Sequence, residues 1–118
     1  MTAFYRYLED SDVHVVDCSG KVDLETGLSR LQTLARELAA RPPRRGRRNL
    51  LIDFRRTVFE SEDVHRRLSE VTRRDFGLHA GNTTIRAAIL VNHWSGALAD
   101  NERWFLDESA AMDWLLRQ

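Results

Sequence analysis

The chain has 118 residues, of which 42% are hydrophobic and 31% are charged. This length and composition suit one packed domain over residues 1–118 and exclude extensive disorder. Its apolar runs are too short to span a bilayer, and Met1–Glu9 lacks the features of a secretory signal. The single cysteine, Cys18, excludes an internal disulfide. Because a free thiol fits a reducing compartment, we expect a cytoplasmic protein.

The formal net charge is zero, but the arginines concentrate in residues 41–74, which we call the basic segment. They are spread over a loop, a strand end and a helix rather than along one stripe, so we expect no nucleic-acid binding. Peripheral contact with an anionic membrane is the alternative use of this charge. Within the loop, Arg44, Arg45, Arg47 and Arg48 are expected to be solvated and to contribute little stability.

The first third of the chain predicts a β-hairpin followed by a helix. Thr2–Glu9 and Val13–Cys18 are rich in aromatic and β-branched residues and flank an acidic turn. Asp23 is the expected N-cap of the helix, which must end before Pro42. The leucines of this helix recur at spacings of three and four, which places them on one face. They are Leu24, Leu28, Leu31, Leu34 and Leu38.

Strands of the buried type alternate with helices in the rest of the chain. The apolar runs Leu50–Phe54 and Ile85–Val91 are typical of strands covered on both faces, and the first is expected to be central. Ser61 is the expected N-cap of the helix between them. After Val91 we expect a short helix, then the strand Trp104–Leu106, then a last helix capped by Asp107.

The order of these elements predicts the fold class. Strands separated by helices pair in parallel through right-handed crossovers, whereas the strands of a hairpin pair antiparallel. We therefore predict an α/β fold. Its single mixed β-sheet is mostly parallel, has an antiparallel first strand and is covered by about four helices.

Short segments along this element order resemble a known family. They are Gly20–Asp23, Leu50–Phe54, Ser61–Val64 and Trp104–Glu108, with Ala110, Ala111, Trp114 and Leu115. Together they resemble the STAS-like proteins related to bacterial anti-sigma-factor antagonists, the SpoIIAA-like family, over nearly the whole chain. The resemblance implies a non-enzymatic domain used for partner switching or for binding nucleotides or lipids.

The resemblance also directs attention to Ser61. In the antagonists, a serine at the start of the second helix accepts a phosphate within an Asp-Ser-Ser/Thr-Gly pattern. Ser61 matches the place of that serine, but the second hydroxyl and the glycine are absent. A phosphate there would also be repelled by Glu60, Glu62 and Asp63. We therefore expect Ser61 to be a helix cap and not a regulatory phosphoacceptor.

A candidate ligand or partner site follows from the predicted sheet. Ligands of open α/β sheets bind beyond the carboxyl ends of the parallel strands. The residues that this rule selects are Asp53, Thr57, Phe59, Ser61, His93 and Trp94. Asp53 and His93 are able in principle to form an acid–base pair, although a carboxylate at a strand end more often bonds loop amides.

Motifs of catalysis and cofactor binding are absent from the sequence. The four histidines are widely separated, and there is no nucleophile elbow, phosphate-binding loop or dinucleotide fingerprint. We therefore expect no catalytic residues, no metal, no cofactor and no enzymatic activity. Cys18, in a valine-rich strand, is expected to be an inert buried thiol.

Two functional hypotheses remain at this point. The first is a non-enzymatic binding or regulatory module that acts through a protein partner or a small ligand. The alternative is a carrier of a lipid or other hydrophobic ligand at a membrane, motivated by Phe59, Trp94, Trp104 and the basic segment. An apolar groove beneath a mobile helix would favour the carrier, and a closed core the module. A homodimer is compatible with both.

Overall fold

A computed structural model of the protein describes residues 1–93 and 96–117. The strands are β1 (Thr2–Leu8), β2 (Val13–Val22), β3 (Arg48–Phe59), β4 (Ile85–Leu90), β5 (Gly96–Ala99) and β6 (Glu102–Phe105). The helices are α1 (Leu24–Ala39), α2 (Glu62–Phe76) and α3 (Glu108–Leu116). Among the described residues, no helix is both long and apolar enough to cross a bilayer.

The strands form one sheet in the order β1-β2-β3-β4-β6-β5. β1 is antiparallel to β2, the pairs β2–β3, β3–β4 and β4–β6 are parallel, and β5 is antiparallel to β6. This arrangement confirms the predicted mixed α/β sheet with an antiparallel first strand. It also confirms that the strand beginning near Leu50 is central.

Helices cover both faces of the sheet, which explains the continuous apolar run of β3. Leu50 and Ile52 point to the face covered by α1 and α2, where they join Leu34 and Leu38 of α1. Leu51 points to the opposite face and packs with residues of α3. Because successive side chains of a strand alternate between faces, β3 needs apolar residues at consecutive positions to supply both cores.

The prediction of about four helices is wrong, because the described residues contain three. The short helix expected between β4 and the next strand is absent from the described part of that segment, which contains β5 instead. β5 pairs with β6 after the turn at Asp100 and Asn101. The edge of β6 supplies hydrogen-bond partners for the backbone of β5. This tertiary pairing prevails over the helix propensity of Ala97, Leu98 and Ala99.

β2 and β3 are longer than the sequence indicated. Their parallel pairing continues past a register shift near Cys18 and reaches Val22 and Phe59. β4 stops earlier, since its last partner on β3 is Asp53. Thr57 and Phe59 therefore lie within a strand rather than in the loop that was expected to follow it.

The predicted helix ends are confirmed. The side chains of Asp23, Ser61 and Asp107 cap α1, α2 and α3 by accepting hydrogen bonds from backbone N–H groups. Gly77 ends α2 with a φ of 69°, in the left-handed region that glycine adopts without steric cost.

The arginines near β3 are structural, which corrects the expectation that this loop is merely solvated. Arg47 donates from Nη2 to the carbonyl oxygens of Leu115 (2.8 Å) and Arg117 (3.1 Å), at the end of α3. Arg48 donates from Nε to the Leu38 carbonyl (3.2 Å) in the last turn of α1. Each arginine thus donates to carbonyls at a helix end. The Leu38 carbonyl also accepts from the backbone N–H of Arg41 (3.2 Å).

We predict that Arg47→Ala lowers the free energy of unfolding by about 1 to 2 kcal/mol, because it removes charge-assisted hydrogen bonds to α3. The exposed Arg45 is the matched control, and its replacement by Ala should cost less than about 0.5 kcal/mol. Urea unfolding followed by circular dichroism measures both. Equal losses in the two variants would contradict the structural role of Arg47.

Candidate functional site

A hollow that we call the strand-end recess lies between α2 and the ends of β3, β4 and β6. Its volume is about 240 Å³. It forms where β3 continues past the end of β4, so that the side chains of the longer strand stand above those of the shorter one. Its walls consist of Phe54, Thr57, Phe59, His65, Ser69, Ile89, Val91, Asn92, His93 and Trp104.

An imidazole stacked between two aromatic rings forms one wall of the recess. The His65 ring lies 4.3 Å from the Phe59 ring, centroid to centroid, with an interplanar angle of 20°. On its other side, the Trp104 ring lies 6.2 Å away at 25°. The three rings come from α2, β3 and β6, so the recess wall is held by three separate elements.

The sequence analysis missed His65. Val64, Leu68 and Val71 recur at helical spacing in the sequence and predict an apolar stripe, but the buried residues of α2 are Leu68 and Thr72. The helix is therefore rotated relative to the prediction, and His65 turns toward the sheet with them. The available signal was the spacing of His65 from Leu68 and Thr72, three and seven residues, which places all three on one helical face.

Behind the recess, an inner cavity of about 70 Å³ lies between the sheet and the helices α1 and α2. The two spaces share walls at Phe54, Phe59, His65, Ser69 and Ile89. Its far wall includes Cys18, which is 4% exposed, and burial raises the pKa of this thiol to about 12. Cys18 is therefore a protonated, weakly nucleophilic thiol, as the sequence predicted.

The helices α1 and α2 close the inner cavity where Gly27 faces Leu68. A Cβ atom placed on Gly27 would lie 2.5 Å from Leu68 Cδ1, which is closer than real atoms approach. Glycine at this position lets the two helices approach each other. A void of about 70 Å³ remains between these helices and the sheet.

Two polar side chains in the wall of the inner cavity have hydrogen-bond partners within the chain. Glu102, only 2% exposed, accepts a hydrogen bond at Oε1 from Nε of Arg73 (2.9 Å). The hydroxyl of Thr72 donates to the Leu68 carbonyl (2.7 Å). Such pairing removes most of the cost of burying polar groups next to an apolar space.

The structure brings three of the predicted site residues together in the recess, namely Thr57, Phe59 and His93. The Thr57 hydroxyl donates to the Phe54 carbonyl (2.6 Å), which fixes its orientation. His93 is exposed at the rim. Trp94 lies outside the described residues.

Asp53 lies on the opposite side of the sheet from the recess. Arg55 donates to its carboxylate from Nε (3.0 Å) and Nη2 (2.9 Å), and also from its backbone N–H (3.0 Å). Burial by itself would raise the pKa of Asp53, but these hydrogen bonds outweigh it and lower the pKa. Asp53 therefore serves to anchor the chain at Arg55 and does not pair with His93.

Ser61 is exposed at the start of α2, and it is not among the residues that line the recess. Its Oγ accepts a hydrogen bond from the backbone N–H of Val64 (3.1 Å). The role that the structure gives this side chain is the predicted one, the N-cap of α2.

The fold can now be compared with known proteins. No family model matches the chain, and no curated protein matches it. Among solved structures, it is similar to an uncharacterized protein of the DUF3478 family with a SpoIIAA-like fold, from Shewanella loihica PV-4. The TM-score is 0.61, with 18% identity over 97% of this chain and 92% of the other. The chain has a SpoIIAA-like fold. The fold implied by the sequence resemblance is thereby confirmed.

We predict that Ser61→Ala lowers the free energy of unfolding by about 1 kcal/mol, the usual cost of removing a helix cap. Ser61→Asp should restore most of it, because aspartate also caps and its charge favours the positive end of the helix dipole. Chemical denaturation of the three proteins measures both effects. A loss in the aspartate variant as large as in the alanine variant would contradict the capping role.

Acid should destabilise the protein through His65. Burial, and secondarily the charge of Arg73, lower the pKa of His65 below its ordinary value of 6.5. The unfolded chain therefore binds a proton more readily than the folded chain, so stability falls as the pH drops through 6.5 toward the lower folded pKa. His65→Phe keeps a ring in the stack and removes the titration.

We therefore expect the unfolding free energy of His65→Phe to fall less steeply with acidification than that of the parent. Denaturant unfolding between about pH 8 and pH 5 measures the slope. The remaining slope is expected from His14, whose pKa is also lowered by burial. A parent-like slope in His65→Phe would show that His65 is not the titrating group.

Proposed function

We propose that the chain is a non-enzymatic binding module that takes a small ligand with an aromatic or compact apolar body in the strand-end recess. The observation that carries this proposal is the aromatic wall formed by Phe59, His65 and Trp104 at the carboxyl ends of the parallel strands. Open α/β sheets bind ligands at this edge.

The size of the recess supports a small ligand. An apolar cavity of about 150 Å³ suffices to bind benzene in another protein, and the recess measures about 240 Å³. One ring system with a short substituent fits this space. Flat rings also suit a wall of flat side chains, since offset or edge-on contacts between rings add to the energy of burial.

The polarity of the recess supports a ligand that is uncharged or only weakly polar. The lowered pKa of His65 keeps its imidazole neutral at neutral pH. A neutral imidazole offers one donor and one acceptor, so it is able to hydrogen bond a single polar substituent of the ligand. Asn92 and His93 at the rim provide further polar contacts.

The hydrogen bonds of the site support a non-enzymatic role. A hydroxyl nucleophile needs a base that is itself oriented by a third group. Thr57 is committed to the Phe54 carbonyl, Glu102 to Arg73, and Asp53 to Arg55. Across residues 1–93 and 96–117, no carboxylate is hydrogen bonded to a histidine of the recess.

The alternative, a carrier of a lipid, requires α1 and α2 to separate. The inner cavity of about 70 Å³ is less than half of the roughly 150 Å³ that holds benzene in another protein, so a lipid chain does not fit it without this separation. The inner cavity nevertheless shares five wall residues with the recess, and this shared wall is the observation that favours the carrier as the second candidate. The two functions differ in ligand size, and this difference makes them separable by experiment.

Titration of the ¹⁵N-labelled protein with indole tests the proposal. We expect shifts of backbone signals from Phe59, His65 and Ile89, and saturation at a measurable dissociation constant. Ser69→Phe fills the recess from α2 and should weaken binding about tenfold or more, since loss of one well-packed ring costs at least about 1.4 kcal/mol.

Ser29→Phe, at an exposed position of α1, is the matched control and should leave indole binding unchanged. Equal binding in both variants, or no saturable shift in the parent, would contradict the proposal. Titration with decanoate separates the alternative. Tight decanoate binding with broad shifts in both α1 and α2, in the absence of indole binding, would support the carrier instead.

A further inference from the structure

The two edges of the sheet differ in how well they are protected against pairing with another strand. β5, at one edge, has four residues and an irregular register with β6. Short length and irregular pairing are devices that prevent association of edge strands. β1, at the other edge, has seven residues and pairs in unbroken register with β2 from Thr2 to Leu8.

β1 lacks most of the other protective devices, and its one charged residue is Arg6. Its sequence, TAFYRYL, contains no proline and no lysine. Its outer side faces no other strand of the described residues. β1 therefore presents a row of unpaired backbone groups on a long, regular strand.

The side chains on one face of β1 favour pairing rather than oppose it. Phe4 is 67% exposed, an unusual position for a large apolar ring. Arg6 lies two residues away on the same face, and its Nε donates to Asp17 Oδ2 of β2 at 3.2 Å. This ion pair holds the Arg6 guanidinium on the same face of the sheet as Phe4, and the arginine side chain stays 46% exposed.

We propose that β1 pairs antiparallel with β1 of a second copy of the chain, about a two-fold axis at Tyr5. Tyr5 is the middle residue of the strand, so this register pairs every residue of β1, and each shift leaves strand ends unpaired. It places Phe4 of each copy opposite Arg6 of the other. The guanidinium then lies next to the exposed ring, which is a favourable cation–π arrangement.

The helices leave room for this continuous sheet. α1 packs on β2, so the α1 helices of the two copies would be separated by the strand sequence β2-β1-β1-β2. Three strand spacings amount to about 14 Å, whereas a helix with its side chains is about 10 Å across. The strand-end recess lies toward the other edge of the sheet, between α2 and the ends of β3, β4 and β6. It therefore stays open in the dimer.

Sedimentation velocity of the full chain over a range of concentrations tests the proposal, and a reversible monomer–dimer equilibrium is expected. Phe4→Lys places a cation opposite Arg6 of the second copy and should weaken dimerisation about tenfold or more. Phe4→Glu places an anion there and should preserve the dimer. Both variants replace the ring by a flexible charged side chain, so the comparison between them reports mainly the sign of the charge.

The two variants are expected to affect the stability of the monomer in the opposite order to their effect on dimerisation. A loss of dimer in Phe4→Lys is therefore not explained by loss of folding. Phe4 pairs with Asp17 within the chain, so lysine at position 4 is the better tolerated of the two charges there. Leu98→Lys, at an exposed position of the opposite edge, is the control and should leave the dimer unchanged.

Hydrogen exchange provides a second measurement that needs no variant. Backbone amides of β1 should become more protected as the protein concentration rises, while those of β5 should not. A parent chain that is monomeric at every concentration overturns the proposal. So does a dimer that Phe4→Lys and Phe4→Glu affect equally, or one whose protection maps to residues outside β1.

Discussion

The parallel pairing of β2 with β3 is the constraint on which the other features of the molecule depend. It extends from Val13 and Asn49 to Val22 and Phe59. Because β3 is buried on both faces, it requires α1 and α2 on one side and α3 on the other. Because it also outruns β4, it creates a step in the sheet. That step is the floor and one wall of the strand-end recess, so the same pairing builds the core and positions the candidate site.

Features with a local physical cause were predictable from the sequence. The caps Asp23, Ser61 and Asp107 follow from the affinity of short polar side chains for unpaired N–H groups. The central place of β3 follows from its unbroken apolar run. The mixed α/β sheet followed from the order of such elements, and the SpoIIAA-like fold was implied by the resemblance of short segments to that family. Three of the six candidate site residues, Thr57, Phe59 and His93, line one recess.

Features set by distant partners were not predictable in the same way. Ala97, Leu98 and Ala99 of β5 favour helices by propensity, and they form a strand because β6 offers them an edge to pair with. His65 is polar and so escaped a search for apolar periodicity, although it faces the sheet. The side of the sheet to which Asp53 points depends on register, which a single sequence does not supply. The contacts of Arg47 with the end of α3 join positions far apart in the chain.

Because Cys18 is buried, the chemical reactivity of its thiol reports how often the interior of the protein opens. The thiol is the chain's single sulfhydryl and lies in the wall of the inner cavity behind α1 and α2. An alkylating reagent has to reach it through a transient opening, and only the minor deprotonated fraction reacts. Its rate of modification under native conditions, compared with that of the unfolded chain, therefore gives the free energy needed to part these elements. The rate of Cys18 alkylation thus measures opening of the native interior without any added label.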